Sequence, residues 1–252
     1  MSRNFELLQQ VGKERDILEA PVAGTEPELG EGVPAVTSPA LHLDKAGSEE
    51  IRNLVQRVFL LPGGQAPHTV VFAGSEPGDG CSWICARAAE ALACQVSGSV
   101  CLVDANLRAP GLHEQFGIPN IRGLSEALLQ NEPMGIFVTT LVPHNLSIVS
   151  CGTPAEGVEG LLTSNRMRAR LKELRAMFDY VLVDTSAVSA SKDAIALGAV
   201  SDGAVLVLKA NSSRKETARN AVQELQTAKV RVLGAVLNQR TFPIPDAIYN
   251  RL

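Results

Sequence analysis

Apolar and polar positions along the chain form two alternating kinds of run. Short blocks rich in Val and Leu recur at residues 69–73, 99–103, 146–150, 180–184, 203–208 and 231–237. Each reads as a strand buried on both faces. Between them, helical periodicity marks 82–95, 123–130, 160–178, 192–199 and 214–228. Apolar strands alternating with helices predict an α/β fold, a mostly parallel sheet with helices on both faces. Ligands of such sheets bind at the carboxyl ends of strands, where Gly74, Asp104 and Asp184 all stand. Upstream, Ser48-Glu49-Glu50 reads as a further helix start, with Ser48 as N-cap and Ile51, Leu54, Val55 and Val58 on its apolar face. Residues 3–19 read as a short amphipathic helix, and 20–44 as a flexible Pro/Gly-rich linker. That leaves 45–252 as the main domain.

Composition narrows the function classes. Of 252 residues 45% are apolar but only 4% aromatic, so the core is expected to be aliphatic. A net charge of −4 does not suit a general nucleic-acid binder. No apolar run reaches the roughly 18 residues of a membrane span, and the N-terminus lacks the apolar core of a signal peptide. The expected location is the cytoplasm. Five cysteines, at 81, 85, 94, 101 and 151, make no CxxC pair and no Cys/His metal pattern, so reduced thiols are expected. Cys81 and Cys85 share one helical face. Plain burial is favoured for that pair over a redox or metal role.

The chemistry centres on Gly74-Ser-Glu-Pro-Gly-Asp-Gly-Cys-Ser82. A strand precedes it and an Ala-rich helix follows, the context in which a glycine-rich loop cradles phosphates. Against Gly-x4-Gly-Lys-Ser/Thr, the loop is matched with Gly74 and Gly80 as its glycines and Gly78 and Asp79 within it. Ser82 keeps the hydroxyl expected on Mg2+. Cys81 stands where the lysine belongs. Asp104 and Asp184 each end an apolar strand downstream of the loop, which suggests carboxylates near a phosphate-bound Mg2+ or an attacking group. Either alone would serve equally as a strand-end cap; with the loop, the functional reading dominates.

Several segments resemble the bacterial tyrosine kinases (BY-kinases) of capsule and exopolysaccharide assembly. These are Leu102-Val-Asp-Ala-Asn-Leu-Arg-Ala-Pro110, Leu112-His-Glu-Gln-Phe-Gly117, Gly123-Leu-Ser-Glu-Ala-Leu128, Phe178-Asp-Tyr-Val-Leu-Val-Asp-Thr185 and Val230-Arg-Val-Leu-Gly-Ala-Val-Leu-Asn238. The likeness spans about residues 48–240, with the motifs in order. It implies a P-loop ATPase fold related to MinD and ParA proteins, with ATP and Mg2+ as cofactors. It implies that Asp104, Asp184 and the position of Asn106 are catalytic, that Ser82, Asp104 and Asp184 surround the metal, and that Asn238 contacts the purine. The partner it implies is a membrane chain-length regulator, the co-polymerase, whose cytoplasmic tail activates the kinase and holds it at the inner membrane.

The sequence also departs from that family. Cys81 replaces the loop lysine, and Ser75 is read at the signature lysine of MinD-type loops. Asn106 replaces the second Asp of Asp-Ala-Asp, and Ser186-Ala187 replace Pro-Pro. Of the oligomerisation motif Glu-x-x-Arg-x-x-Arg, Glu49 and Arg52 survive while Val55 takes the last place, so a homo-oligomer is expected on a reduced motif. The C-terminal tyrosine cluster is missing, leaving Tyr249 as phosphoacceptor candidate. These departures favour a regulatory or scaffolding pseudokinase with weak or no ATP hydrolysis. The alternatives are an active tyrosine autokinase using a substitute cation, and a MinD/ParA-like ATPase switch. Of the lysines that could substitute, Lys192, at a helix start, is a better candidate than Lys209, but a solvated surface lysine is the favoured reading of Lys192.

Overall fold

The computed structural model describes residues 35–37, 45–60, 66–142, 145–153 and 157–239. The expected helix at 3–19, the linker up to residue 34 and Tyr249 lie outside the described residues. The elements are β1 (Ala35–Thr37), α1 (Lys45–Val55) continued by a π-helical turn (Gln56–Leu60), β2 (Thr69–Gly74), α2 (Cys81–Gln95) and β3 (Val100–Asp104). Then come α3 (Leu112–Phe116), α4 (Leu124–Leu129), a 3-10 turn (Met134–Phe137), β4 (Thr139–Val142) and β5 (Leu146–Val149). The chain continues through α5 (Val158–Leu161), α6 (Asn165–Met177), β6 (Tyr180–Asp184), α7 (Asp193–Gly198), β7 (Gly203–Lys209), α8 (Lys215–Thr227) and β8 (Val232–Asn238).

The eight described strands form one sheet in the order β1-β4-β5-β3-β6-β2-β7-β8. Every pairing is parallel except β4 with β5. All six expected strands are present to within a residue or so. Two strands were not expected. β4 opens on Thr139-Thr140 and is too short to show a period, and Ala35–Thr37, within the stretch expected to be linker, pairs with it.

Side-chain alternation sorts the sheet into two cores. Val71, Ala73, Cys101, Val103, Val181 and Val183 face α4, α6, α7 and α8. Val70, Phe72, Val100, Leu102 and Leu182 face α1, α2 and α3. The same alternation carries Asp104 and Asp184, the last residues of their strands, onto the α2 face. Small residues on α2 (Ala86, Ala88, Ala89 and Ala93, all buried) let its backbone approach the sheet closely.

Two helix expectations need correction. α1 begins at Lys45, so Ser48 lies inside its first turn and is not its N-cap. The expected helix 160–178 is broken: Ser164 stands between α5 and α6, and its Oγ accepts from the Met167 N–H at 3.3 Å, restarting the helix. No described helix is long and apolar enough to cross a membrane.

Candidate functional site

The strand register assembles the site. β2 lies between β6 and β7, with Phe72 beside Asp184 and Gly74 beside Val207. Asp104 and Asp184 are direct register partners on β3 and β6, so their Cα atoms are about 4.8 Å apart. The loop after β2 and both aspartates therefore meet at one end of the sheet, on the face covered by α2.

The loop holds its shape through its own carboxylate. Asp79 Oδ2 accepts from the Ser75 N–H at 2.9 Å, the Ser75 hydroxyl at 2.7 Å and the Glu76 N–H at 2.9 Å. Its Oδ1 accepts from the Ser213 hydroxyl at 2.8 Å, and its own N–H donates to the Glu76 carbonyl at 3.3 Å. Asp79 was expected to bind nucleotide; instead its side chain and its N–H are both committed to the loop. Asp79→Ala leaves the Glu76 N–H and two hydroxyls without their acceptor, while the Ser75 N–H keeps the Val207 carbonyl at 3.1 Å. It is expected to cost about 3 kcal/mol, since charged hydrogen bonds contribute about 1.5–3 kcal/mol each and water replaces some of them. Urea unfolding measures this, and an unchanged midpoint would show that the carboxylate does not organise the loop.

Two glycines complete the turn. Gly78 and Gly80 have φ of 90° and 82°, a region costly for other residues. A Cβ on Gly80 would also collide with the Asn238 amide. Asn238 donates through Nδ2 to the Asp79 carbonyl at 2.9 Å, so this expected purine contact is here a strut of the loop. Counting back from Gly80 corrects the motif match. Five residues separate Gly74 from Gly80, so Ser75 fills the motif's first position, and no Lys or Arg occurs anywhere in 74–82.

α2 starts at Cys81, and its first N–H groups have no intrahelical acceptors. They point out of the loop with the positive end of the helix dipole, a ready anion cradle. Beside this cradle stand two buried aspartates. Asp184 is fully buried, and neither carboxylate oxygen has a hydrogen-bond partner among the described residues. Burial first, and the Asp104 charge second, push its pKa up to about 8. The Ser82 hydroxyl, the Cys81 thiol and the Thr185 N–H lie near enough to oppose that rise without reversing it. Asp104 is raised less, to about 6, because the N–H groups of Leu112, Asn106 and Gly111 donate to it. Cys81 is driven well up by burial and then by Asp184, so it is a neutral thiol.

The residues therefore fit Mg2+ and nucleotide phosphates in all but one respect. Two orphaned carboxylate oxygens and an adjacent hydroxyl, on Asp184 and Ser82, suit a hard cation. The glycine turn and the start of α2 suit phosphate. The missing part is a cation.

The other expected residues are more scattered. Asn106 follows Asp104 and caps it through its N–H at 3.2 Å. Glu49 and Arg52 lie exposed on α1. Lys192, favoured as a solvated surface lysine over a substitute cation, is 71% exposed and pairs with Glu224 at 2.6 Å. Sequence reading missed the bracing segment after β7. Ser213 holds Asp79, and Thr217 donates to Glu76 Oε1 at 3.3 Å. Isolated serines and threonines in a turn give no signal of such a role.

Comparison with known proteins places these features. No family model matches the chain. It is 32% identical over 191 residues to tyrosine-protein kinase YwqD of Bacillus subtilis (strain 168), covering 76% of this chain and 80% of that one. It is 27% identical over 169 residues to tyrosine-protein kinase etk of Escherichia coli (strain K12), covering 67% of this chain but only 23% of that longer one. In three dimensions the chimerical protein CapA2B2 superposes with a TM-score of 0.74 at 22% identity, over 83% of this chain and 94% of that one. A ParA family ATPase from Chlorobium tepidum TLS gives a TM-score of 0.56 at 20% identity, over 69% and 75% of the two chains.

Proposed function

The chain belongs to the bacterial tyrosine-protein kinase family, and from that membership we propose that it is a regulatory, non-phosphorylating member serving capsule or exopolysaccharide assembly. The observation that carries this reading is the loop itself, a glycine turn and helix start that can cradle phosphate but hold no Lys or Arg in 74–82.

The chain's own groups retain the means to bind. The N–H groups at the start of α2 hold phosphate oxygens, the turn at Gly78 and Gly80 keeps them aligned, and Ser82, Asp104 and Asp184 are the residues that would hold Mg2+. When bound, Mg2+ offsets phosphate charge. Transfer of a phosphoryl group needs more, since charge on the migrating group and leaving oxygen must be met by a preorganised cation. A neutral thiol is a poor hydrogen-bond donor and carries no positive charge. Asn106 removes a further carboxylate from the position where the family keeps one. Binding therefore outlasts catalysis.

The partner in this reading is the cytoplasmic tail of a membrane chain-length regulator, which would hold the protein at the inner membrane. Exposed Glu49 and Arg52 on α1 are the surface offered to a second copy of the chain. The test is intact mass after incubation with Mg·ATP, with and without the tail peptide. No added phosphate is expected. Stoichiometric phosphotyrosine, on Tyr249 or Tyr180, would overturn the proposal in favour of an active autokinase.

A further inference from the structure

A lysine stands at the end of the strand next to the loop. Lys209 ends β7 and is the register partner of Asn238, the residue that braces the loop. On the same strand Gly74 is opposite Val207, so Lys209 stands two residues beyond the point where the loop begins. Alternation along β7 puts Val205 and Val207 in the core under α2. Lys209 follows in that phase, on the face where α2 and the cradle lie. The backbone is close as well: the Lys209 N–H donates to Ser213 Oγ at 2.7 Å, and that hydroxyl donates to Asp79 Oδ1 at 2.8 Å.

Two other cations considered for this role are engaged. Lys192 is bound to Glu224, and Arg108 faces Asp193 at 3.7 Å. Lys209 is half-buried and has no ion pair among the described residues. It also lines a cavity of about 340 Å³ together with Ser213, the residue that holds Asp79.

We infer that Lys209 binds the phosphates of the nucleotide, supplying from β7 the positive charge that the loop lacks. This rests on reading the loop as a nucleotide site. A lysine delivered from the neighbouring strand supports binding of the ground state. It does not track the transferring group as a loop lysine does, which is consistent with binding without transfer.

The experiment is calorimetric titration of Mg·ADP and Mg·ATP into wild type, Lys209→Met, Lys209→Arg and Lys192→Met, with circular dichroism to verify folding. Lys209→Met is expected to weaken binding at least tenfold, Lys209→Arg to stay within about threefold, and Lys192→Met to match wild type. In a Cys81→Lys background the loss from Lys209→Met should shrink, because the loop then has its own cation; a merely structural role would not produce that coupling. Wild-type affinity in folded Lys209→Met, or no measurable binding by the wild type, overturns the inference. Intact mass on the same samples reports phosphotransfer separately, so failure here is distinguishable from failure of the regulatory reading.

Discussion

Cys81→Lys protein is expected to bind Mg·ATP about ten- to a hundredfold more tightly than wild type, because one charge-assisted contact to phosphate contributes about 1.5–3 kcal/mol. Three features of the site make the substitution a clean test. Position 81 is the first residue of α2 and, although it packs against the core under that helix, it keeps partial exposure, so a longer side chain has an open side to extend into. The cradle around it is already built, held by Asp79, Ser213 and Asn238 independently of residue 81. And Asp184 lies beside the thiol with both oxygens unpartnered, ready to pair with an ammonium group in the absence of nucleotide. Any phosphotransfer should rise by more than the affinity does, since the cation meets charge that grows in the transition state. Calorimetry reads the first effect and intact mass the second. Cys81→Met, similar in bulk to the lysine stem but uncharged, should show neither. If Cys81→Lys binds no more tightly than wild type, the loop's lack of charge is not what limits this site.

Much of this arrangement was legible in the sequence because it depends on local chemistry. Val- and Leu-rich blocks buried on both faces announce parallel strands, and the two that end in Asp announce the site, since only the carboxyl end of such a strand leaves a charged residue near a ligand. What stayed hidden depends on contacts distant in sequence. Asp79 reads as one more polar loop residue until Ser213, 134 positions away, is seen to hold it. Lys192 reads as a solvated lysine at a helix start, but its partner, Glu224 on α8, is 32 positions away and gave no sign in the sequence. Lys209 gave no more signal than any lysine at the end of a strand; only the pairing of β7 with β2 and β8 puts it beside the loop. Short elements failed for another reason. β4 and β1 have too few residues to show a period; β4 is held by β5 and in turn gives β1 its hydrogen-bonding edge.

The acidic character of the site explains why a thiol is tolerated at its centre. With Glu76, Asp79, Asp104 and Asp184 around the loop and no Lys or Arg within it, full ionisation would set like charges against each other in a dry environment. Asp79 is relieved by four hydrogen bonds and Asp104 by three amides. At Asp184 burial outweighs the nearby Ser82, Cys81 and Thr185 groups and its pKa stays raised to about 8, so a neutral neighbour such as Cys81 adds no charge for it to balance.

Removing that carboxyl group should therefore stabilise the protein. Asp184→Asn is expected to raise the thermal midpoint of ligand-free protein at pH 8 by about 5–10 °C, corresponding to about 2–4 kcal/mol for a domain of this size. The sign follows from linkage. A carboxyl whose folded pKa is raised from its usual 3.8 to about 8 binds a proton in the folded state that the unfolded chain has already lost. Between those values stability falls as pH rises, and it levels off above about pH 8. Asp104, raised to about 6, adds a shallower fall in the lower part of the window. Because the two aspartates interact, the measured curve belongs to the pair. Wild-type protein should accordingly be most stable near pH 5 and lose stability steadily towards pH 8. Asp184→Asn should flatten most of that slope, and its Asn amide has the Ser82 hydroxyl, the Cys81 sulfur and the Thr185 N–H as polar neighbours. Thermal melts across pH 5 to 8, with and without Mg2+, measure both curves. A variant that is less stable than wild type at pH 8, or that keeps the wild-type slope, would show that Asp184 is charged and satisfied in the folded protein. In that case the strain ascribed to the site would not exist.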